Sequence, residues 1–227
     1  MSRRKHNYRA DTNEMRPIQI LLLAALTALA APASPEAPPQ SRQEALAALA
    51  SADAEARAAA VVWIARHGAE SDAAPLYERL NDASPTVRSY AEQALWLLWS
   101  RSGDAAVDRL MERGLEEMQS GRHAEAIATF SEVIRRKPGF AEGWNKRATV
   151  LYLAGELQRS RADCDEVLKR NPRHFGALSG AGLIHLELEQ YGQALDWFRR
   201  ALEVNPNMSA IEAEVRRLEV LLRRRST

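Results

Sequence analysis

Pro138, Pro172 and Pro206 stand at a fixed interval of 34 residues, each at the end of a run whose apolar residues recur at helical spacing. A constant interval of that length constrains the fold more than composition does. It marks one supersecondary unit stacked on copies of itself rather than a single closed core. Neighbouring columns keep the same register. Along the first helix of each unit they read Leu110, Trp144 and Leu178, then Gly114, Ala148 and Gly182. Along the second they read Ala126, Ser160 and Ala194, then Phe130, Cys164 and Phe198, then Val133, Val167 and Ala201. A small residue at a fixed place lets two helix backbones approach, and a bulky one beside it fills the space. Each proline ends its helix by withholding the donor that a further turn needs. No β-branched alternating run occurs and aromatic residues are 6% of the chain, so the expected fold is all-α.

These columns resemble the tetratricopeptide repeat (TPR), with three repeats at 107–140, 141–174 and 175–208 inside a region spanning 104–208. The resemblance implies an α-solenoid of helical hairpins whose first helices line a concave groove for extended or helical peptide segments. The groove-facing positions by register are Met111, Leu115 and Met118 in the first repeat, Asn145, Thr149 and Tyr152 in the second, and Ser179, Leu183 and Leu186 in the third. Asn145 and Ser179 share one repeat position with Met111, so a common direction into the groove is expected for them. Leu115, Leu183 and Leu186 fit packing against neighbouring helices equally well. Some family members clamp a partner's C-terminal carboxylate with lysine, asparagine and arginine; the matching positions here hold Met111, Leu115, Lys146, Gly176 and Gly180, which argues against that mode. The family's tyrosine position carries Glu117, Leu151 and His185, and its leucine position carries Arg113 and Arg147 in the first two repeats. The first repeat is therefore expected to pack differently, with a HEAT-like helix of the preceding segment as its neighbour.

Upstream, 49–65 and 80–96 align at a spacing of 31: Leu49 with Leu80, Ala56 and Arg57 with Val87 and Arg88, Ala60 with Ala91, Ile64 with Leu95. The second copy, with Asp82, Pro85, Val87, Arg88 and Ala91, resembles a HEAT-like repeat, which implies two helical hairpins over 41–103. Beyond the repeats, Ile211, Val215, Leu218 and Leu222 fall on one helical face, giving a capping helix over 209–227.

The first 33 residues are of another kind: a basic stretch, then the apolar run 18–31, then small residues. Fourteen mostly apolar residues span about 21 Å as a helix, short of a ~30 Å hydrocarbon core. That order is the order of a secretory signal peptide, with cleavage expected so that the mature chain begins between Ala31 and Ser34. Met15 is an alternative start, and an uncleaved membrane anchor is the alternative fate. A proline-rich linker over 34–40 follows. The expected location is periplasmic or secreted, in a protein of exported bacterial type. Without residues 1–33 the formal charge falls from +1 to −2. No global field favours nucleic acid or an anionic membrane surface.

Searching for chemistry returns little. His6, His67, His123, His174 and His185 form no metal-ligand spacing with one another or with Cys164. Cys164 shares its column with Phe130 and Phe198 and reads as core filler, and His185 reads as a packed histidine. The glycines of 176–182 lie within a helix of the third repeat, where close helix crossing explains them better than a phosphate loop does. Asp163, Asp165 and Glu166 read as a solvated charged face. The terminal arginines suit a helix C-terminus. The expectation is a non-enzymatic adaptor without catalytic residues, cofactor, metal, nucleic acid or small-molecule substrate. It binds an unidentified protein or peptide partner in the groove and meets a membrane only through an uncleaved N-terminal segment. The alternative is a membrane-anchored structural component of a cell-envelope complex.

Overall fold

The computed structural model describes residues 38–225; the signal-peptide reading of 1–33 and most of the linker fall outside them. Those residues form an all-helical solenoid. Eleven α-helices follow in order among them: α1 (Arg42–Ala48), α2 (Ala54–His67), α3 (Ala73–Arg79), α4 (Pro85–Ser100), α5 (Ala105–Gln119), α6 (His123–Arg136), α7 (Ala141–Leu153), α8 (Leu157–Arg170), α9 (Phe175–Glu187), α10 (Tyr191–Val204) and α11 (Ser209–Arg225). Local chemistry sets the starts. Ser41 accepts from the Glu44 amide ahead of α1, Asp53 from Glu55 ahead of α2, and Asp104 from Ala106 and Val107 ahead of α5. Pro85 opens α4, where a missing amide hydrogen costs nothing.

Helices α5 to α10 pair in sequence, α5 on α6, α7 on α8, α9 on α10, and α11 packs over α10. The glycine column shows why its members are small. A methyl built on Gly114 falls 2.6 Å from the Phe130 ring, and one on Gly182 collides with Phe198. In the middle repeat Ala148 meets Cys164 instead, a larger residue facing a smaller one. The turn from first to second helix is made each time by a left-handed residue, Gly121 (φ 70°), Gly155 (φ 76°) and Glu189 (φ 57°), again 34 apart. Only the third lacks the freedom of glycine there.

The arginines at the leucine position pair within their own hairpins, Arg147 across to the second helix and Arg113 along the first. Arg147 forks onto Asp163 at 2.7 and 2.8 Å, and Arg113 holds Glu117, which also accepts from Thr129 at 2.6 Å. Asp163 is therefore buried and paired, not part of a solvated face, because the fork brings it inward. Asp165 and Glu166 do pair with basic neighbours at the surface of α8.

The four N-terminal helices share one core, with Leu49, Ala60, Ile64, Leu80, Val87, Ala91 and Leu95 all buried. Their 31-residue spacing is visible as a repeated bond. Arg57 donates to the carbonyls of Ser51 and Ala52 and forks onto Asp82; Arg88 donates to the carbonyls of Asp82 and Ala83 and then to Asn207 at 3.0 Å. Where a next copy would supply an aspartate, the loop after α10 supplies an asparagine. The N-terminal core does not close on itself: Phe175 lies within it, and Val204 and Met208 pack against it.

That core is not stacked on the first TPR helix. α4 packs instead against α7 and the loops between repeats, which leaves Arg109, Glu112, Arg113 and Glu116 of α5 exposed. A polar outer face is what an uncapped solenoid end requires. It explains why the first repeat departs from the family pattern.

Candidate functional site

The first helices of the three repeats, α5, α7 and α9, present equivalent positions at the 34-residue interval, and α4 runs past the N-terminal ends of α7, α9 and α11. Arg88 reaches Asn207 beyond the third repeat, and half-buried Glu92 sits beside Asn205, its carboxyl pushed up by partial burial. Trp96 and Trp99 meet His174 and Phe175 between the second and third repeats. Lys137, between the first and second, donates to the Ser102 carbonyl just after α4.

Trp96 sits where Gly176 leaves space, since a methyl at Gly176 would strike its ring. The Lys146 ammonium lies 5.5 Å from the same ring. Beneath the two tryptophans is a buried polar cluster. Glu142 is fully buried and accepts from Asn145 Nδ2 at 3.0 Å, with Lys146 Nζ at 2.8 Å and His174 Nε2 at 3.1 Å. His174 Nδ1 accepts from the Ala177 amide, which puts the ring proton on Nε2, facing Glu142. Burial alone would raise the Glu142 carboxyl, but the Lys146 ammonium and the His174 bond hold it down at about 2. The Trp99 ring stacks on His174 at 4.2 Å.

This arrangement divides the groove positions. Met111, Asn145 and Ser179 share a repeat position as the period requires, but all three are buried within the chain. Asn145 donates to Glu142, and the Ser179 hydroxyl donates to the Gly176 carbonyl. They are not an accessible surface: Asn145 is taken up by the Glu142 cluster beneath α4, Ser179 is bound back to its own helix, and Met111 is buried with Val107, Phe130, Val133 and Val150. Leu115 and Met118 are half-buried against Met111 and Phe130. Leu183 and Leu186 pack against the Phe198, Ile211, Val215 and Leu218 cluster, the packing alternative for that pair. Tyr152 lies against Ala148, Cys164 and Ile184 and near Glu187; burial, then that carboxylate, push its hydroxyl up. Thr149 is half-buried, its hydroxyl donating to the Asn145 carbonyl.

The less buried of these positions lie toward the C-terminal ends of α5, α7 and α9. One helical turn beyond Leu115, Thr149 and Leu183 come Gln119, Leu153 and Glu187, on the same helix face. Leu153 is 45% exposed, a large apolar side chain left in solvent. The sequence reading missed Trp96, Trp99, Glu142 and His174, whose roles depend on a contact that no local pattern encodes. It also missed Glu189, although the column Gly121, Gly155, Glu189 was there in the 34-residue register.

Cys164 is buried and its thiol is pushed up to about 12 by that burial, as a packing residue should be. Among the described residues no group of histidine, cysteine, aspartate and glutamate could hold a metal ion, and no helix is long and apolar enough to cross a membrane.

With the geometry in place, the relatives agree on the class. Family models described as tetratricopeptide repeat match residues 111–169 and 175–208. A TPR repeat-containing protein of Rhizobium etli is 31% identical over 137 residues, covering 60% of this chain and 67% of that protein. The chain belongs to the tetratricopeptide repeat family. Hsp70-Hsp90 organizing protein 1 of Glycine max is 21% identical over 140 residues, a stretch that covers 62% of this chain and only 23% of that protein. Among solved structures, the Sgt2 TPR domain from Aspergillus fumigatus superposes with a TM-score of 0.51 at 17% identity, covering 54% of this chain and 83% of that one. The Yersinia enterocolitica type III secretion chaperone SycD, in complex with a peptide of the translocator YopD, gives 0.50 at 10% identity, covering 52% and 95%. These two share the fold.

Proposed function

We propose that this chain is a non-enzymatic adaptor that holds a segment of a partner protein against the open half of its concave TPR face. The observation that carries this reading is the exposed and half-buried side chains there, Leu153 with Tyr152 and Thr149, beside a groove end that the chain already fills with its own α4. The SycD complex gives a shared fold in which a peptide is bound. Buried Glu142 and Lys146 hold each other, so neither is free to act as an acid, a base or a carboxylate clamp.

The test is affinity capture from the native host with wild-type bait and a Thr149→Arg bait. Arginine at this half-buried groove position is expected to weaken partner affinity by about 2 kcal/mol or more while helicity is kept. Equal capture by a folded Thr149→Arg protein would move the binding surface elsewhere. Two further readings belong to the same proposal: export through residues 1–33 and a HEAT-like origin for 41–103. N-terminal sequencing of the native protein tests the first, with a start between Ala31 and Ser34 expected and an intact Met1 or Met15 on a soluble cytoplasmic species counting against it.

A further inference from the structure

We infer that the open half of the groove takes an apolar partner segment flanked by basic residues, with Glu187 and Glu189 reading the positive charge. The inference rests on the groove reading above and adds the chemistry of its occupant.

Three observations converge. The first is apolar: Leu153 is exposed, with Tyr152 half-buried next to it and Met118 and Leu186 half-buried at the equivalent positions of the flanking repeats. The second is electrostatic. The open half is where α5, α7 and α9 end, so their carbonyl ends point toward it and favour a cation. Glu187 closes α9, Glu189 follows it, both are exposed, and neither forms an ion pair within the described residues. The Arg161 guanidinium is committed elsewhere: it pairs with Asp165 and lies over the Trp197 ring.

The third observation is backbone strain. Glu189 occupies the left-handed turn that glycine fills at 121 and 155. An L-residue with a long side chain pays for that conformation, and two copies of the same turn show that glycine serves it. Glu189 stands exposed two residues beyond Glu187, which itself lies close enough to Tyr152 to push its hydroxyl up.

The test uses the full chain and fluorescence anisotropy. The probe is a short fluorescein-labelled peptide of leucine and alanine between paired lysines; its control carries paired glutamates instead. Wild type is expected to bind the lysine peptide about tenfold or more tighter than the glutamate peptide, with the preference shrinking as salt rises. Glu187→Gln and Glu189→Gly are each expected to weaken lysine-peptide binding by about threefold to fivefold, the worth of one partly exposed ion pair. Glu189→Gly should at the same time raise the melting temperature, a combination that a purely structural glutamate would not give. Leu153→Arg, at an exposed position, should abolish binding without loss of helicity. Equal affinity for the two peptides, no binding of either, or unchanged binding in folded Leu153→Arg would overturn the inference. If the lysine peptide fails while Thr149→Arg still loses the native partner, the groove reading stands and this assignment of its occupant falls.

Discussion

Glu142 shows how one residue can tie a binding fold to its own flanking segment. Its carboxylate is held at about 2 against an ordinary value of 4.5, so its contribution to stability is complete above pH 4.5 and is lost as pH falls toward 2. Replacing it with glutamine leaves the half-buried Lys146 ammonium beside a neutral partner, a change expected to cost about 2–3 kcal/mol at pH 7. The gap in melting temperature between wild type and Glu142→Gln should therefore narrow from pH 5 to pH 2, as followed by circular dichroism. A gap independent of pH would show that the carboxylate's charge is not what stabilises the cluster. Cys164 offers the opposite case. With its thiol pushed up to about 12, it should resist thiol reagents in the native state at pH 8, and Cys164→Ala should cost ~1 kcal/mol where Phe198→Ala costs about 3–5. Rapid labelling of Cys164 in folded protein, or loss of function in Cys164→Ala at an unchanged melting temperature, would refute the packing role.

Helix pairs were the most legible part of the sequence, because the residues that meet are fixed by one local interval. The columns Gly114, Ala148, Gly182 and Phe130, Cys164, Phe198 turn out to be in contact with each other, ring against missing methyl in two repeats and methyl against thiol in the third. This predicts a coupled exchange. Cys164→Phe alone should overpack its crossing by about 1–3 kcal/mol, and adding Ala148→Gly should recover part of that loss despite the helix cost of glycine. A double-mutant cycle in urea checks it; additive losses would mean the two positions do not share the crossing. The path of α4 was not legible. Nothing in the run from Pro85 to Ser100 states that Trp96 will meet Gly176, eighty residues away in sequence. The apolar pattern announces a buried face without saying against what. The same ignorance made Asn145 and Ser179 look like open groove positions, because the contacts that bury them were missing from the reading.

At the scale of the molecule, the shared core of α1 to α4 with Phe175, Val204 and Met208 makes the N-terminal helices and the third repeat one cooperative body. Urea unfolding followed by tryptophan fluorescence, which samples Trp63, Trp96 and Trp99 in the N-terminal helices and Trp144 and Trp197 in the repeats, should coincide with unfolding followed by far-ultraviolet circular dichroism. Trp99→Ala, by removing the ring stacked on His174, should split the two curves. A wild-type chain that already melts in two steps would count against the shared core. The path of α4 has one more consequence. From Arg88 to Trp99 the helix advances about 16 Å, and over that length it must meet loops belonging to successive repeats before Ser102 reaches Lys137. Open solenoids can lengthen by duplicating a hairpin, since a new copy disturbs only its immediate neighbours. Here an inserted copy between the second and third repeats would carry Asn207 out of reach of Arg88 and leave the tryptophans facing the wrong loop. The helix works as a gauge bar, and three is the repeat number it is cut to accept.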